Sequence, residues 1–298
     1  MPAVSLTAVP GRRRRTVELG TEIERRGFAG IYGPSRGDVM SLCLSLGHVT
    51  ERIPFGTAIQ PIYLRPAAEL AEAVSYLAEV SCGRFRLGLG VSHAPTHARL
   101  GVDVGKPLSD TREYVDRLRT AIGPRGSVPP IVLATLRTRM LRLAVEIADG
   151  AVWANAARSH MATSLGEIPP FRRADGFFVG NMIPTVIDDD RDGAAAVNRR
   201  TLTRYVALPN YRNYWKEAGY VEEMDAIEVA LADGDGPRVQ RLMSDRWLSD
   251  VTLYGSPAEV RDGVEAWFDA GVDTPILVPS ATSGGQLRAL DQLFAAFA

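Results

Sequence analysis

Short apolar runs alternate with stretches of helical composition along most of the chain, and the run Phe85 to Val91 is the clearest of them. Two glycines, Gly88 and Gly90, interrupt this run, which ends abruptly at Ser92 and His93. An apolar run of this length is typical of a strand that is buried on both faces, as in a parallel sheet. Glycine weakens a strand unless another backbone or a ligand comes close, so the pair predicts a crowded or ligand-facing strand.

The same alternation predicts eight strands along the chain. We expect them at residues 3–8, 28–32, 53–59, 85–91, 129–134, 151–154, 177–187 and 274–279. We expect helices at 16–26, 38–49, 66–80, 109–120, 138–148, 257–270 and 286–297, and a loop from the fourth strand to Pro107. Eight alternating units favour a closed parallel α/β barrel of the (β/α)8 TIM type, although periodicity alone also allows an open doubly wound sheet.

A long, mostly helical section, about residues 190 to 271, separates the last two predicted strands. It is too long for one crossover, so it predicts an insertion between strands 7 and 8 that lies over the mouth of the barrel. No linker or low-complexity tract divides the chain. Residues 1–298 are therefore predicted to form a single domain.

Composition narrows the classes of function. Of the 298 residues, 46% are apolar and 23% are charged, and the formal net charge is −1. This balance predicts no nucleic-acid partner, and no apolar stretch approaches the ~20 residues that cross a bilayer, so no membrane association is expected. Cys43 and Cys82 lack metal-ligand spacing, so no metal site is predicted, and such sparse cysteine use favours a reducing, cytoplasmic location.

Candidate chemistry lies where the fourth strand ends. Barrels of alternating strands and helices bind ligands at the carboxyl ends of their strands, which is where Ser92 and His93 are expected. The alternative is that Gly88 and Gly90 only permit packing and that His93 is a solvated loop residue. This segment alone leaves both interpretations open.

Five separated segments match one family in order. They are RGFAGIY (26–32), TERIPFGTAI (50–59), SCGRFRLGLGV (81–91), ADGAVW (148–153) and GSPAE (255–259). Together they resemble the luciferase-like monooxygenase superfamily, particularly the actinobacterial oxidoreductases that use the deazaflavin coenzyme F420. The resemblance implies a barrel with an insertion between strands seven and eight. It also implies hydride transfer at a deazaflavin or flavin ring held over the carboxyl ends of the strands.

The resemblance implies which residues surround the ring. Members commonly have a non-proline cis peptide bond after strand three, and the matching residues here are Thr57, Ala58 and Ile59. The alternative is an ordinary strand end. The family's loop after strand four corresponds to Val91, Ser92 and His93. His93 could exchange a proton beside the ring, because the unperturbed pKa of histidine is near neutrality, or it could only hydrogen-bond the cofactor.

The resemblance also implies a place for the cofactor phosphate, where strand five leads into a helix N-terminus. The residues are Ala134, Thr135, Leu136 and Arg137. Free amides and the helix dipole favour an anion at such a position. Arg137 or Arg139 could add positive charge, although both residues also fit a solvated basic face.

Ser35 and Arg36 are the largest departure from the family pattern, since many relatives have an Asp-His pair after strand two. The difference argues against a sugar-phosphate dehydrogenase of that family. Arg36 could hold an anionic group of the substrate or cofactor with its fork of donors, or it could form a salt bridge within the loop.

We therefore expect an oxidoreductase that transfers a hydride between coenzyme F420 and a small organic substrate. One alternative is an FMN-dependent monooxygenase that takes reduced flavin from a partner reductase and activates oxygen. Another is a non-catalytic protein that binds F420 or flavin. Because relatives are commonly dimers, the resemblance also implies a homodimer.

Overall fold

The chain folds into a (β/α)8 TIM barrel of parallel strands, as predicted. The computed structural model describes residues 1–124 and 126–298, and over these residues eight strands alternate with helices while two shorter strands pair beside them. The strands are β1 Ala3–Ser5, β2 Ile31–Gly33, β3 Phe55–Thr57, β4 Gln60–Pro61, β5 Phe85–Gly90, β6 Ile131–Ala134, β7 Gly150–Ala154, β8 Phe178–Ile187, β9 Leu253–Gly255 and β10 Thr274–Ser280.

The helices follow the strands closely in the first half of the chain and cluster between β8 and β10 in the second. They are α1 Arg13–Arg25, α2 Val39–Val49, α3 Ala67–Val80, α4 Ala94–Leu100, α5 Pro107–Ile122, α6 Thr138–Ile147, α7 Met161–Leu165, α8 Pro170–Ala174, α9 Arg191–Val206, α10 Pro209–Glu217, α11 Val221–Ala232, α12 Gly236–Leu242, α13 Asp245–Val251, α14 Pro257–Asp269 and α15 Gly285–Ala296. A short 3-10 helix, Arg158–His160, precedes α7. None of the helices in the described part of the chain is both long and apolar enough to cross a membrane.

All eight predicted strands are present, and the helical insertion before the last of them is confirmed, since α9 to α14 lie between β8 and β10. The expected loop from β5 to Pro107 is wrong, because α4 begins directly after His93. That helix has only seven residues and ends at Gly101 in the left-handed conformation, with φ 62°. So short a helix shows little apolar periodicity in the sequence.

The chain divides into two compact units. The first comprises residues 1–153 and 167–180, and the second comprises residues 154–166 and 181–298. The expectation that residues 1–298 form a single domain stays a prediction.

In the first unit, successive parallel strands place large apolar side chains in one row. Ile31 lies opposite Phe55, and Phe55 lies opposite Phe85, with all three fully buried. The Phe55 ring faces α2, where it lies 3.5 Å from the position that a β-carbon on Gly47 would occupy. This row therefore packs against the helices, and the alternate residues of the same strands point to the barrel interior.

Gly88 and Gly90, at two interior-facing positions of β5, are crowded by residues at the ends of the neighbouring strands. A β-carbon on Gly88 would lie 1.9 Å from the carbonyl oxygen of Thr57, a distance that no rotamer change can relieve. At Gly90 it would lie 2.8 Å from the Ala134 β-carbon and 3.0 Å from Cγ1 of Ile59. The predicted crowding of this strand is therefore confirmed, with its source in the neighbouring strand ends.

The second unit is built around buried aromatic side chains of the insertion. Trp215 and Trp247 are fully buried and meet edge to face, with ring centroids 4.8 Å apart. Tyr211 packs on Trp215 at 5.4 Å. Aromatic pairs of this kind add to area burial, so the insertion has an apolar core of its own.

We predict that Gly88→Ala destabilises the protein by about 3 kcal/mol or more, because the new methyl group overlaps a backbone carbonyl. The free energy of unfolding, measured in urea, checks this. Gly236→Ala is the matched control, since no atom lies within 4 Å of its added methyl group. Equal stability of the two variants would show that β3 and β5 are not packed in this way.

Candidate functional site

The end of β3 provides a rigid, largely apolar surface in the first unit. The Thr57 hydroxyl donates to the Gly88 carbonyl at 2.7 Å, and the Ala58 N–H donates to the Gly33 carbonyl at 2.7 Å. The peptide bond from Ala58 to Ile59 is cis, which the resemblance implied. The Ile59 side chain lies against Gly90, so β3, its following turn and β5 form one continuous surface.

The end of β5 turns sharply into α4. Ser92 has φ 61°, in the left-handed region that non-glycine residues seldom adopt. His93 follows in an extended conformation and is the N-cap of α4. Its carbonyl accepts from the backbone N–H of Thr96 at 2.9 Å and of His97 at 3.1 Å. The predicted pair Ser92 and His93 therefore lies at the carboxyl end of the strand, where barrels bind ligands.

His93 is half-buried, and its environment disfavours the protonated ring. Burial lowers the pKa of His93 below its ordinary value, and the charge of His97 lowers it further. At neutral pH the ring is therefore neutral, and one of its two nitrogens carries no proton. This protonation state suits a general base better than a general acid.

The segment from β6 into α6 contains a buried hydroxyl with nothing to bond. Thr135 is 5% exposed, and among the described residues its hydroxyl has no hydrogen-bond partner, while its N–H donates to the Val152 carbonyl at 2.9 Å. Ala134 and Leu136 beside it are half-buried. The N-cap of α6 is Arg137, whose side chain makes no capping hydrogen bond. The first amides of α6 are therefore open to an acceptor.

The arginines near these segments differ in their surroundings. Arg139 lines a groove between α5 and α6, together with Arg142 and Glu146, so it belongs to an outer surface. Ser35 and Arg36 are exposed on the loop after β2. Among the described residues Arg36 forms no ion pair, so the loop salt bridge that we considered for it is not found. Its guanidinium remains available to an anion.

Side chains of the insertion fix the loop after β7 in the second unit. The N–H of Ala156 donates to Oδ1 of Asn181 at 3.3 Å, and the N–H of Ala157 donates to the Tyr214 hydroxyl at 3.1 Å. In return, the Trp215 indole N–H donates to the Asn155 carbonyl at 3.2 Å. The loop backbone is therefore held by groups that are remote in sequence.

Asp250 completes this anchoring. Its carboxylate accepts from the N–H and the hydroxyl of Ser159, at 2.9 and 2.6 Å, and from the Tyr220 hydroxyl at 2.8 Å. Burial and the bond to Asp250 raise the pKa of Tyr220 to about 12, so Tyr220 stays a donor. His160, at the end of the loop, lies edge-on to the Tyr214 ring at 5.7 Å. Three donors on one carboxylate satisfy its buried charge without a cation.

Sequence reasoning missed the contribution of α4. His97 was not among the expected site residues, yet its Nε2 lies 2.5 Å from the Val91 carbonyl. Pro95 in the first turn of α4 and the left-handed Gly101 after it were available as helix signals. The spacing of four residues between His93 and His97 then places both residues on one face of a helix.

The first unit fits a cofactor that has a flat ring and a phosphate. The Thr135 hydroxyl, buried without a partner beside the uncapped start of α6, is the kind of donor that a phosphate oxygen satisfies. Ile59 and the glycines of β5 offer an apolar surface of the kind a ring requires. Within residues 1–124 and 126–298, no three His, Cys, Asp or Glu side chains group so that they could hold a metal.

Comparisons with known proteins agree with the fold. The sequence model of the luciferase-like monooxygenase family matches residues 3–274. A Mycobacterium tuberculosis protein, named as a candidate coenzyme F420-dependent oxidoreductase, is 27% identical over 93% of this chain and 93% of its own. A 5,10-methylenetetrahydromethanopterin reductase of Archaeoglobus fulgidus is 25% identical over 79% of each chain. The solved F420-dependent tetrahydromethanopterin reductase of Methanopyrus kandleri has a TM-score of 0.75 at 17% identity, covering 98% of this chain and 97% of that one, and shows the fold.

Two buried threonines give a matched test of the hydrogen bonds in this region. We predict that Thr57→Val costs about 1 to 2 kcal/mol, because it removes a donor from the buried Gly88 carbonyl, whereas Thr135→Val is neutral or slightly stabilising. The measurement is urea unfolding of the cofactor-free protein. An equal loss in both variants would mean that the Thr135 hydroxyl has a partner in the free protein.

Proposed function

Because the chain belongs to the luciferase-like monooxygenase family, we propose that it is an oxidoreductase that transfers a hydride between coenzyme F420 and a small organic substrate. The choice of F420 as the cofactor rests on the similarity to the Mycobacterium tuberculosis protein, which is named for F420 and aligns over 93% of both chains. The buried Thr135 hydroxyl beside the start of α6 supports a phosphate-bearing cofactor. The position of His93 at the carboxyl end of β5 supports an enzymatic role.

In this proposal the first unit holds the cofactor through three strand ends. Ala58 and Ile59 support the ring, with Thr57 fixing their backbone to β5. The backbone of Val91 and Ser92 would contact the bound ring. Bound F420 supplies a ring carbon that accepts or releases a hydride, where a flavin has a nitrogen.

The phosphate would be held at the end of β6. Its ligands are the Thr135 hydroxyl, the first amides of α6 and the positive end of the helix dipole. Ala134 and Leu136 flank this position, and Arg137 adds charge at its exposed edge. Arg36, free of any ion pair in the described part of the chain, is proposed to hold an anionic group of the substrate or cofactor.

His93 is the proposed catalytic residue. Its lowered pKa keeps the imidazole neutral at pH 7, so an imidazole nitrogen could take the proton of a substrate hydroxyl while the hydride on the carbon that bears this hydroxyl passes to oxidised F420. A carbonyl compound results, and the reaction in reverse returns the proton from His93. The proposed substrates therefore carry a hydroxyl group in one direction of the reaction and a carbonyl group in the other.

The family name favours one second function, an FMN-dependent monooxygenase supplied with reduced flavin by a partner reductase. It needs the same ring surface and phosphate position. The reactivity of the bound, reduced cofactor with oxygen distinguishes the two functions, since a reduced deazaflavin transfers hydride but reacts poorly with oxygen. A third function, cofactor binding without catalysis, predicts that substitution of His93 changes affinity only. We further propose that the protein works in the cytoplasm as a homodimer.

We predict that the protein binds F420 more tightly than FMN and that Thr135→Val weakens F420 binding roughly tenfold, the loss expected when one hydrogen bond to a charged group is removed. Quenching of cofactor fluorescence measures both affinities. Thr120→Val on α5, whose hydroxyl bonds only within its own helix, is the control. Tighter binding of FMN would instead support the monooxygenase function.

We predict that His93→Gln slows the hydride-transfer step by roughly 10²-fold while F420 affinity stays nearly unchanged, because glutamine keeps a polar contact but cannot accept a proton. Single-turnover reduction of F420, followed by absorbance with a panel of small alcohols, gives the rate. In the wild type that rate should rise with pH through a pKa below the ordinary histidine value and then level off, since only the neutral ring is a base.

His48→Gln on the exposed face of α2 is the matched control and should behave as the wild type. An unchanged rate in the His93 variant would end its catalytic assignment. Lost affinity with an intact rate would make His93 a cofactor contact, and Arg36 would become the next residue to test.

A further inference from the structure

The turn that carries His93 is held from both sides by one residue of α4. The His97 side chain contacts the Val91 carbonyl through Nε2 at 2.5 Å, and the His97 backbone N–H donates to the His93 carbonyl at 3.1 Å. A carbonyl oxygen only accepts, so Nε2 carries the hydrogen in this contact, whether the His97 ring is neutral or charged. His97 therefore binds the residues on both sides of Ser92.

Ser92 is the residue that needs such support. It adopts φ 61° although it has a side chain. The carbonyl groups of its two sequence neighbours, Val91 and His93, are the ones that His97 binds. L-residues with side chains seldom occupy this region unless surrounding contacts fix them there. The bond to the Val91 carbonyl adds a side-chain contact to the backbone contacts that α4 makes with this turn.

The His97 ring is itself fixed by a neighbour. Tyr63 meets it edge to face, with ring centroids 5.4 Å apart and planes at 83°. The Tyr63 hydroxyl donates to Oδ2 of Asp110, on α5, at 2.6 Å. Burial and this bond raise the pKa of Tyr63, so the hydroxyl remains a donor throughout the physiological range. A connected set of contacts thus runs from α5 through Tyr63 and His97 to the end of β5.

We infer that His97 is a positioning residue, which fixes the Val91–His93 turn through its Nε2 hydrogen and thereby sets where the His93 ring points. This inference rests on the proposed function in one respect, that the His93 ring faces a cofactor. A consequence is that two properties of His97 can be separated. The hydrogen-bond donor defines the turn, whereas the ring charge acts only on the protonation of His93.

Two substitutions of His97 separate these properties. His97→Gln places an amide N–H near the position of Nε2 and removes the charge, whereas His97→Phe keeps an aromatic ring against Tyr63 and removes the donor. The same changes at exposed His48 are the controls. The first readout is the NMR spectrum of isotope-labelled histidine rings in the cofactor-free protein, titrated with pH. The second is F420 affinity from fluorescence.

For His97→Phe we expect the His93 signals to broaden or split, because the turn no longer has one conformation, and F420 affinity to fall roughly tenfold. For His97→Gln we expect a single set of His93 signals and an affinity within about twofold of the wild type. In both variants the pKa of His93 should rise, because the neighbouring charge is gone. Rescue by glutamine and not by phenylalanine is the signature of positioning.

His93 signals in His97→Phe that match those of His48→Phe would overturn the inference, as would equal losses in the phenylalanine and glutamine variants. If His97→Phe does not fold, His97→Leu replaces it, since leucine also removes the Nε2 donor and should broaden the His93 signals in the same way. One sharp set of His93 signals in that variant would overturn the inference too. Failure of the wild type to bind F420 would reject the proposed cofactor, while the cofactor-free spectra would still decide the role of His97.

Discussion

The approach of the Thr57 carbonyl to Gly88 is the constraint on which the first unit depends. The oxygen occupies the space that any side chain at residue 88 would need, so β3 and β5 lie closer than two strands with ordinary side chains allow. This closeness lets the Thr57 hydroxyl reach the Gly88 carbonyl and lets Ile59 cover Gly90. The surface proposed to support the ring is thus made from backbone that has no freedom to move apart.

Burial governs the state of two polar side chains near this surface. The buried Thr135 hydroxyl has lost its water and found no partner in the described part of the chain, an arrangement that costs about 1 to 3 kcal/mol. Binding of a phosphate oxygen would recover that energy as affinity. Burial also keeps the His93 ring neutral, because the charged ring would lose more hydration on burial than the neutral ring does.

The barrel and the insertion could be predicted because buried strands and helices each produce a characteristic local pattern of apolar residues. The crowding at Gly88 was also predictable, since glycine in a buried strand has few other causes. The helix α4 could not be predicted from periodicity, because seven residues without an apolar stripe show none, and its signals in the sequence were Pro95 and Gly101. The role of His97 depends on a contact across a turn with a left-handed Ser92, and no residue type in the sequence encodes that conformation.

The ion pairs and hydrogen bonds of individual side chains at the site were the least predictable feature. A salt bridge was plausible for Arg36 from composition, yet the structure describes none for it. Whether a hydroxyl such as that of Thr135 has a partner depends on atoms brought together by the whole fold. Sequence patterns therefore located the candidate segments at the strand ends, while the hydrogen-bond state of each side chain required the three-dimensional structure.

The anchoring of the loop after β7 limits how this protein can be re-engineered. Asp250 and Tyr214 belong to the insertion, yet they satisfy donors on the loop at Ala157 and Ser159. An insertion grafted from another barrel would leave those donors buried and unbonded, and the loop would lose its conformation. The insertion and residues 155–160 would therefore have to be exchanged together, as one piece.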